Sequence, residues 1–264
     1  MTFIIIKIGG SVLNKLSDSF YETLVKMKQE TDYQPVLVHG GGPEITEALK
    51  KWEISSTFVN GLRVTTDEVL KIAEMVLSGS LNKRIVSNIQ RIGGKSIGLS
   101  GIDGPLLTVS QVDPRLGFVG KVESVNPAWL HSIFGQGAIP VISPIGIDPS
   151  GQKYNINADM AAASIAIALN GKLAFISDIP GVMEETEQGS IVHPKLTKVQ
   201  INRLIEKGVI TGGMIPKVQS ALSVLEAGVK EAVILNGSKP KDLLTYMDGL
   251  DAGTRIIREE VYNV

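Results

Sequence analysis

Two lysines in this sequence have glycine-rich surroundings that are typical of anion binding. Lys7 interrupts an apolar run directly before Gly9–Ser11, and Lys217 follows Gly213 in the first turns of a predicted helix. A lysine inside a strand is unfavourable unless its ammonium meets an anion or reaches solvent. A cation near a helix N-terminus is opposed by the helix dipole. Both lysines are therefore candidates for phosphate binding.

A second glycine loop separates a predicted strand from a predicted helix. The segment His39–Pro43 contains three consecutive glycines before a proline that suits the first turn of a helix. Free amides and the positive end of a helix dipole together form an anion site. Either glycine loop alone is explained equally well by a tight turn, but two such loops after two strands favour phosphate binding. His39 itself is interpreted as structural.

Polar side chains at three other turns could hold or orient a ligand. Asn155, Asn157 and Asp159 precede or begin a small-residue helix, where a helix cap is the simpler interpretation of the last two. Arg63 follows a predicted Asn-Gly turn and can bind a carboxylate with two hydrogen bonds, although a solvated arginine is equally consistent with the sequence. Asp178 ends a predicted strand and is a weaker candidate for contact with a nucleotide.

Taken together, these residue types suit phosphoryl transfer, which depends on positioning and charge neutralisation. There is no clear general base, and a carboxylate acceptor with a pKa of about 4 needs none because it is already ionised at neutral pH. The ordinary nucleotide motifs are absent, since Gly94–Ser96 ends like a Walker A loop but Ile89 stands where a glycine is required.

Composition argues against several other classes of function. The 264 residues include 26 Lys or Arg and 27 Asp or Glu, and a net charge of −1 offers no basic field for nucleic acid or a membrane surface. Cysteine is absent and the three histidines lack metal-ligand spacing, so we expect no metal site built by the protein. The apolar opening Phe3–Ile6 is too short for a signal peptide or a membrane span, so we expect a cytoplasmic protein.

Alternating apolar runs and amphipathic segments predict an α/β fold with a mostly parallel sheet. The predicted strands are Phe3–Ile8, Pro35–Val38, Ser96–Leu99, Ile139–Ile142, Leu173–Ile176 and Ala232–Leu235. The predicted helices are Phe20–Gln29, Pro43–Trp52, Thr66–Leu77, Leu81–Arg91, Ala158–Leu169, Lys198–Lys207 and Gly213–Ala227. A hairpin is predicted within Phe58–Thr65, and antiparallel decoration within Leu106–Val125. Ligands of such sheets bind at the carboxyl ends of the strands.

Four of these motifs resemble the signatures of the amino-acid kinase family in their order and spacing. They are Lys7–Ser11, His39–Pro43, Asn157–Asp159 and Gly212–Lys217. The resemblance covers nearly the whole chain and implies a three-layer α-β-α sandwich around a mainly parallel sheet of eight strands. It also implies an N-terminal lobe, residues 1–170, for amino-acid binding and dimerisation, and a C-terminal lobe, residues 171–264, for ATP binding.

The same resemblance implies roles in phosphoryl transfer for two lysines and one carboxylate. Lys7 and Lys217 would neutralise charge on the transferring phosphoryl group, and Asp159 would orient both lysines. ATP, accompanied by Mg²⁺, is the implied phosphoryl donor. The residues that would line its phosphate site are Gly9, Gly10, Ser11, Asp178 and Gly213.

Three segments are similar to the branch of this family that phosphorylates the side-chain carboxylate of N-acetyl-L-glutamate in arginine synthesis. They are Val38–Pro43, Asn60–Thr65 and Tyr154–Asp159. This similarity implies that Arg63 and Asn155 bind the α-carboxylate side of the acceptor and that Asn157 is a second contact. Amides around Gly41 and Gly42 would hold the acceptor next to the phosphate.

The start of the chain leads to one further expectation. Members of the family that are inhibited by arginine carry a helix before the first strand, and this helix interlaces dimers into hexamers. Here the predicted first strand begins within three residues of Met1. We therefore expect a homodimer without strong inhibition by arginine.

Two alternatives stay open at the level of the sequence. A sibling kinase acting on aspartate, glutamate, carbamate, uridine monophosphate or a carrier-bound aminoadipate would share most of the motifs, and the carrier-bound acceptor is the hardest to exclude. A non-catalytic sensor would bind ATP or an amino acid without turnover. Retention of Lys7, Lys217 and Asp159 argues against the sensor, because binding alone needs fewer charges.

Overall fold

The computed structural model describes residues 1–186 and 189–258. Its strands are β1 (Thr2–Ile8), β2 (Tyr33–His39), β3 (Phe58–Val59), β4 (Leu62–Arg63), β5 (Ser96–Ser100), β6 (Leu107–Gln111), β7 (Val119–Val125), β8 (Ile139–Ser143), β9 (Ile145–Ile147), β10 (Lys153–Ile156), β11 (Lys172–Ser177), β12 (Met183–Thr186), β13 (Gly189–Val192), β14 (Lys195–Thr197), β15 (Glu231–Asn236) and β16 (Thr254–Ile257). Its α-helices are α1 (Gly10–Leu13), α2 (Asp18–Glu30), α3 (Gly42–Lys51), α4 (Asp67–Glu74), α5 (Asn82–Arg91), α6 (Ala128–Gly135), α7 (Ala158–Ala168), α8 (Lys198–Glu206), α9 (Met214–Glu226) and α10 (Asp242–Met247).

Within the described residues, the central sheet has eight strands in the order β14-β16-β15-β11-β1-β2-β8-β5. All neighbouring strands run parallel except β15 and β16, which are antiparallel. The predicted mainly parallel sheet of eight strands is confirmed. Because β1 pairs directly with β11, the sheet is continuous across the lobe boundary expected at residues 170 and 171.

Helices cover both faces of the sheet because apolar side chains alternate along its strands. In β1, Ile4, Ile6 and Ile8 pack in a core shared with α1 to α5 and α10, whereas Ile5 packs in a second core shared with α6 to α9. All four isoleucines are fully buried. The three-layer sandwich is thus confirmed, and Lys7 lies on the face of the sheet that α7 covers.

Two small strand units outside the central sheet correspond to the hairpin and the antiparallel region predicted from the sequence. The predicted antiparallel region is the β6–β7 pair, which closes with β9 and β10 into a four-stranded barrel. The predicted hairpin is the β3–β4 pair, and its turn residues Asn60 and Gly61 have φ angles of 49° and 77°. Positive φ at both positions is what a two-residue hairpin of this twist requires, which explains the Asn-Gly signal.

The sequence pattern did not indicate the edge strand β14, its neighbour β16 or the short strands β9 and β10. Each has three or four residues, which is too short for a clear alternation. The predicted helices Thr66–Leu77 and Leu81–Arg91 are joined by a π-helical segment, Met75–Leu81, rather than separated. No helix in the described ranges combines the length and the apolar character needed to cross a bilayer.

Candidate active site

Three loops begin at the same level of the carboxyl edge of the sheet. In the strand register, Ile8 of β1 lies beside His39 of β2 on one side and Ile176 of β11 on the other. The loops after these strands carry Gly9, the glycines that follow His39, and Asp178. The fold therefore brings together the two predicted phosphate loops and the predicted nucleotide contact, as expected for a parallel sheet.

The two glycine loops approach each other so closely that side chains are excluded. A Cβ atom at Gly10 would lie 2.8 Å from Cδ of Pro43 and 3.1 Å from Cα of Gly41 in the second loop, whereas one at Gly41 would meet the side chain of Leu81 at 2.3 Å. Gly40 donates its backbone N–H across the gap to the end of β1 at 2.9 Å. Glycine at these positions thus serves close backbone packing, which leaves backbone groups lining the site instead of side chains.

Lys7 forms a half-buried ion pair with Asp159. The distance from Nζ of Lys7 to Oδ1 of Asp159 is 2.7 Å, and the two side chains are 18% and 15% exposed. Asp159 lies in the first turn of α7, where the helix dipole favours a carboxylate. The ammonium also lies near the first glycine loop, because a Cβ at Gly9 would be 3.7 Å from Nζ of Lys7.

Lys217 is held by a different carboxylate. Its Nζ donates to Oγ of Ser177 and to Oδ1 of Asp178, each at 2.7 Å. The structure places Asp159 beside Lys7, whereas Lys217 extends from α9 towards the end of β11, and the orienting role expected of Asp159 for both lysines stays a prediction. The hydrogen bond from Lys217 holds the pKa of Asp178 below its usual value, so that carboxylate stays ionised. Lys15 lies 3.7 Å from Oδ2 of Asp178 and was not indicated by the sequence pattern.

The remaining predicted phosphate contacts lie at helix starts. Ser11 is in the first turn of α1, and Gly213 is the residue directly before α9. Both residues are exposed. At the start of α9, the backbone N–H groups of Met214 and Ile215 donate to the carbonyls of Thr211 and Gly212 at 3.1 and 3.3 Å, so the contribution of this helix end to a phosphate site is mainly its positive dipole.

A cavity of about 160 Å³ brings together the residues predicted to bind the acceptor. Those residues are Gly41, Gly42, Arg63, Asn155 and Asn157. Apolar side chains complete the wall, namely Ile45, Phe58, Leu62, Leu77, Val119 and Ile156. No pattern in the sequence marked this apolar wall, because its members come from separate elements that meet only in the folded chain.

Arg63 is a buried cation with neutral hydrogen-bond partners. Its side chain is 7% exposed, and its Nη1 donates to the hydroxyl of Ser56 at 2.8 Å. Its Nη2 donates to the carbonyl of Gly42 at 3.1 Å and to the hydroxyl of Thr46 at 2.8 Å. The ring of Phe58 stacks 4.5 Å from the guanidinium carbon. Burial lowers the pKa of Arg63.

No carboxylate among the described residues lies within 4.0 Å of the Arg63 guanidinium. A buried charge without a counterion is costly. The cavity beside Arg63 is therefore electrostatically suited to an anion.

The two predicted asparagines have different surroundings. Oδ1 of Asn157 accepts from the backbone N–H groups of Asp159 at 2.9 Å and Met160 at 3.2 Å, so this residue caps α7. Nδ2 of Asn155 donates to the hydroxyl of Thr65 at 3.3 Å. Both side chains also line the acceptor cavity. The helix-cap interpretation of Asn157 is confirmed, and it does not prevent the amide nitrogen from meeting a ligand.

Asn82 supports the second glycine loop and was not indicated by the sequence pattern. It is fully buried, and its Nδ2 donates to the carbonyl of Val141 at 2.9 Å and lies 3.4 Å from Nε2 of His39. Burial lowers the pKa of His39 to about 4, so the imidazole is neutral at neutral pH. Nε2 then accepts from Asn82, and Nδ1 donates to the carbonyl of Gly40 at 3.1 Å. The sequence signal that could have identified Asn82 is a polar residue at a helix position where a buried side chain is expected.

The fold and this carboxyl-edge site define the class of protein. Residues 2–236 match the amino acid kinase family, and the chain belongs to that family. Among curated relatives, it is 53% identical over 265 residues to the acetylglutamate kinase of Oceanobacillus iheyensis, with 100% of both chains covered. It is 46% identical to the acetylglutamate kinase of Geobacillus kaustophilus, with 97% of this chain and 96% of the relative covered.

A similar solved structure extends the likeness to three dimensions. A Streptococcus mutans UA159 protein known from its crystal structure superposes with a TM-score of 0.79 at 29% sequence identity. The match covers 97% of this chain and 98% of the other. The similarity thus extends over the whole architecture and is not limited to the glycine loops.

Proposed function

We propose that this chain transfers the γ-phosphoryl group of ATP to the side-chain carboxylate of N-acetyl-L-glutamate. The product is N-acetyl-L-glutamyl 5-phosphate, an intermediate of arginine synthesis. The observation that carries the proposal is the buried Arg63 guanidinium, which faces an anion-sized cavity beside the phosphate loops. Relatives named acetylglutamate kinase that match the whole chain support the same acceptor.

The lining of the acceptor cavity favours an amino acid whose amine is blocked. Arg63 and Asn155 are assigned to the α-carboxylate, and Asn157 to a second polar contact. None of the residues that line the cavity is an aspartate or glutamate. A free ammonium group would therefore be desolvated without a counterion, whereas an acetamide pays no such penalty and can pack against Leu62 and Ile156.

The transfer itself requires charge neutralisation and no base. An oxygen of the acceptor carboxylate attacks the γ-phosphorus, the bond from that phosphorus to the β–γ bridging oxygen breaks, and ADP leaves with the electron pair. Lys7, aligned by Asp159, and Lys217, held by Asp178, are assigned to the charge that develops on the phosphoryl oxygens. Mg²⁺ enters as part of the MgATP substrate.

Residues 1–170 are proposed to hold the acceptor and mediate dimerisation, and residues 171–264 to hold ATP. Every residue that lines the acceptor cavity precedes position 170, whereas Asp178, Gly213 and Lys217 follow it. Residues 187, 188 and 259–264 of the second lobe lie outside the described ranges. Truncation at the boundary is not a useful test, because β1 and β11 share one sheet.

A cytoplasmic homodimer is the proposed form of the protein. Support for self-association comes from the family resemblance rather than from the outer strand β5, because Lys83 donates to the carbonyl of Gly98 at 2.9 Å and so hinders pairing along that edge. Sedimentation equilibrium of the purified protein tests this directly. A mass of one chain at micromolar concentration would contradict the dimer.

A hydroxylamine trap for acyl phosphate tests the activity. With MgATP and N-acetyl-L-glutamate we expect strong hydroxamate formation, and with glutamate, aspartate or carbamate little or none. A preference for another acceptor would overturn the proposed substrate while leaving the kinase class intact. ATP binding without turnover on any acceptor would favour the sensor.

A further inference from the structure

A second cavity, about 570 Å³ in volume, lies at the opposite edge of the sheet. Its lining includes Lys172, the first residue of β11, whereas Ser177, which contacts Lys217, is the last residue of that strand. Five residue steps along a strand correspond to about 16 Å. The second cavity is therefore separate from the acceptor cavity and from the phosphate loops.

Most of the charged side chains that line this cavity are cations, and we call the cavity the basic pocket. The cations that line it are Lys172, Lys195, Lys230, Arg255 and Arg258. No carboxylate in residues 1–186 and 189–258 lies within 4.0 Å of any of them. Among its lining residues, the acidic one is Glu231, whose Oε1 accepts from the hydroxyl of Tyr246 at 2.8 Å.

Strand register places two of these cations in direct opposition. Lys195 of β14 is the register partner of Arg255 of β16, so both side chains leave the same face of the sheet. Like charges on neighbouring strands repel each other, although solvent reduces the repulsion here because Lys195 is exposed. An anion between the two side chains would turn this repulsion into attraction.

Tyr246 holds two of the cations in position below the cavity. Its buried ring has its centroid 4.8 Å from Nζ of Lys172 and 5.4 Å from Cζ of Arg255. Nη2 of Arg255 donates to the carbonyl of Leu250 at 2.5 Å, whereas no acceptor among the described residues meets its Nε. Because Nε is itself shielded from solvent, an anion in the cavity would contact the guanidinium through its Nη groups.

We propose that the basic pocket is a binding site for a small anion with two or more negative charges carried by phosphate or carboxylate groups. One anion of this kind lies between Lys195 and Arg255 and reaches Lys172. A nucleobase is not part of the recognised group, because the ring of Tyr246 is fully buried and offers no face for stacking. This site is independent of the proposed catalytic activity.

Thermal unfolding of paired variants tests the basic pocket. The test variant is Lys172→Gln with Lys195→Gln, and the matched control is Lys26→Gln with Lys95→Gln, two exposed lysines elsewhere that give the same change in net charge. Inorganic phosphate and succinate are added separately at constant ionic strength. Binding of either anion at the active site contributes equally to both variants, so their difference reports the basic pocket.

We expect the control to gain about 4 °C in Tm at an anion concentration about tenfold above Kd, and the test variant to gain almost nothing. A response to phosphate alone identifies a phosphorylated ligand, and a response to succinate alone identifies a dicarboxylate. Equal gains in both variants, or no gain in the control with either anion, would overturn the proposal.

A charge reversal provides a second measurement, which adds the stability of the anion-free protein to the response to the anions. Lys195→Glu places a carboxylate opposite Arg255 and should raise Tm above that of the wild type while removing the response to the anions. A lowered Tm with an unchanged response would show that Lys195 and Arg255 do not form an anion site.

Discussion

Lys7 and Lys217 both carry their ammonium groups 2.7 Å from an aspartate oxygen, but the two ion pairs differ in burial. The Lys7–Asp159 side chains are 18% and 15% exposed, whereas those of Lys217 and Asp178 are 32% and 47% exposed. A half-buried pair interacts strongly and is costly to break from one side, whereas an exposed pair has a small net energy. Lys7 is therefore a fixed charge, and Lys217 is a charge that can leave its partner.

This difference assigns the two lysines separate tasks in the proposed reaction. Lys7 is already in place before substrates bind, which is the condition for strong electrostatic stabilisation of a transition state. Lys217 is free to exchange the carboxylate of Asp178 for a phosphate oxygen at little cost. Variants of the two pairs can separate these tasks.

The largest effect is expected for Lys7→Met. Loss of a preorganised charge in a low-dielectric site should lower kcat by about 10³-fold, and Asp159 would be left without its partner. The hydroxamate assay at saturating substrates measures the loss, and circular dichroism checks the fold. Lys51→Met is the matched control, since its ion pair is exposed and distant from the cavity. A near-normal kcat would remove Lys7 from the mechanism.

A smaller loss is expected for Lys217→Ala. Because its charge is more solvated, kcat should fall by about 10²-fold, with stability almost unchanged. Steady-state kinetics and urea unfolding measure the two quantities. A kcat close to that of the wild type would show that Lys217 does not act on the transferring group, and a loss equal to that of Lys7→Met would contradict the distinction between a fixed and an exchangeable charge.

Arg63→Ala tests whether Arg63 binds the acceptor rather than the phosphoryl donor. The change removes the buried cation of the acceptor cavity, so KM for N-acetyl-L-glutamate should rise by about 30-fold, the equivalent of ~2 kcal/mol for a charged hydrogen bond. KM for ATP should stay within about twofold of the wild type. Arg115→Ala, an exposed arginine, is the control. Equal increases in both KM values would refute the assignment to the α-carboxylate.

The smallest effect on activity is expected for a substitution at His39. This substitution should, however, clearly change how the stability of the protein depends on pH. Its folded pKa of about 4 lies below the ordinary histidine pKa of 6.5, so between these values the unfolded chain binds a proton that the folded chain does not. Stability from this residue is thus present above pH 6.5 and is lost as pH falls towards 4, by about 3 kcal/mol.

Urea midpoints measured between pH 7 and 4 for wild type and His39→Gln measure this contribution. The variant should lose less stability than the wild type between pH 7 and 4. The second glycine loop should keep its position, because the glutamine amide can replace the hydrogen bonds of the imidazole. An identical pH dependence would show that His39 does not hold the Gly40 carbonyl as a neutral imidazole.

Much of the fold followed from local patterns in the sequence. The strands β1, β2 and β11 are apolar runs, and their glycine or aspartate successors predicted the carboxyl-edge site. The β3–β4 hairpin followed from Asn60, because its turn needs positive φ. The four-residue strand β16 and the three-residue strand β14 carry no comparable signal. β16 joins the sheet by pairing with β15, and β14 joins it by pairing with β16.

What the sequence by itself determined is the set of groups available for chemistry: two lysines beside glycine loops, an arginine on a hairpin and carboxylates at strand and helix ends. The positions of these groups depend only on neighbouring residues and on the spacing of apolar residues within each helix or strand. Only the tertiary structure decided that Asp159 pairs with Lys7 and Asp178 with Lys217. It also left Arg63 without a counterion among the residues that the structure describes, and it placed Lys195 opposite Arg255. Electrostatic partners and burial arise between segments far apart in the chain, and no local pattern specifies them.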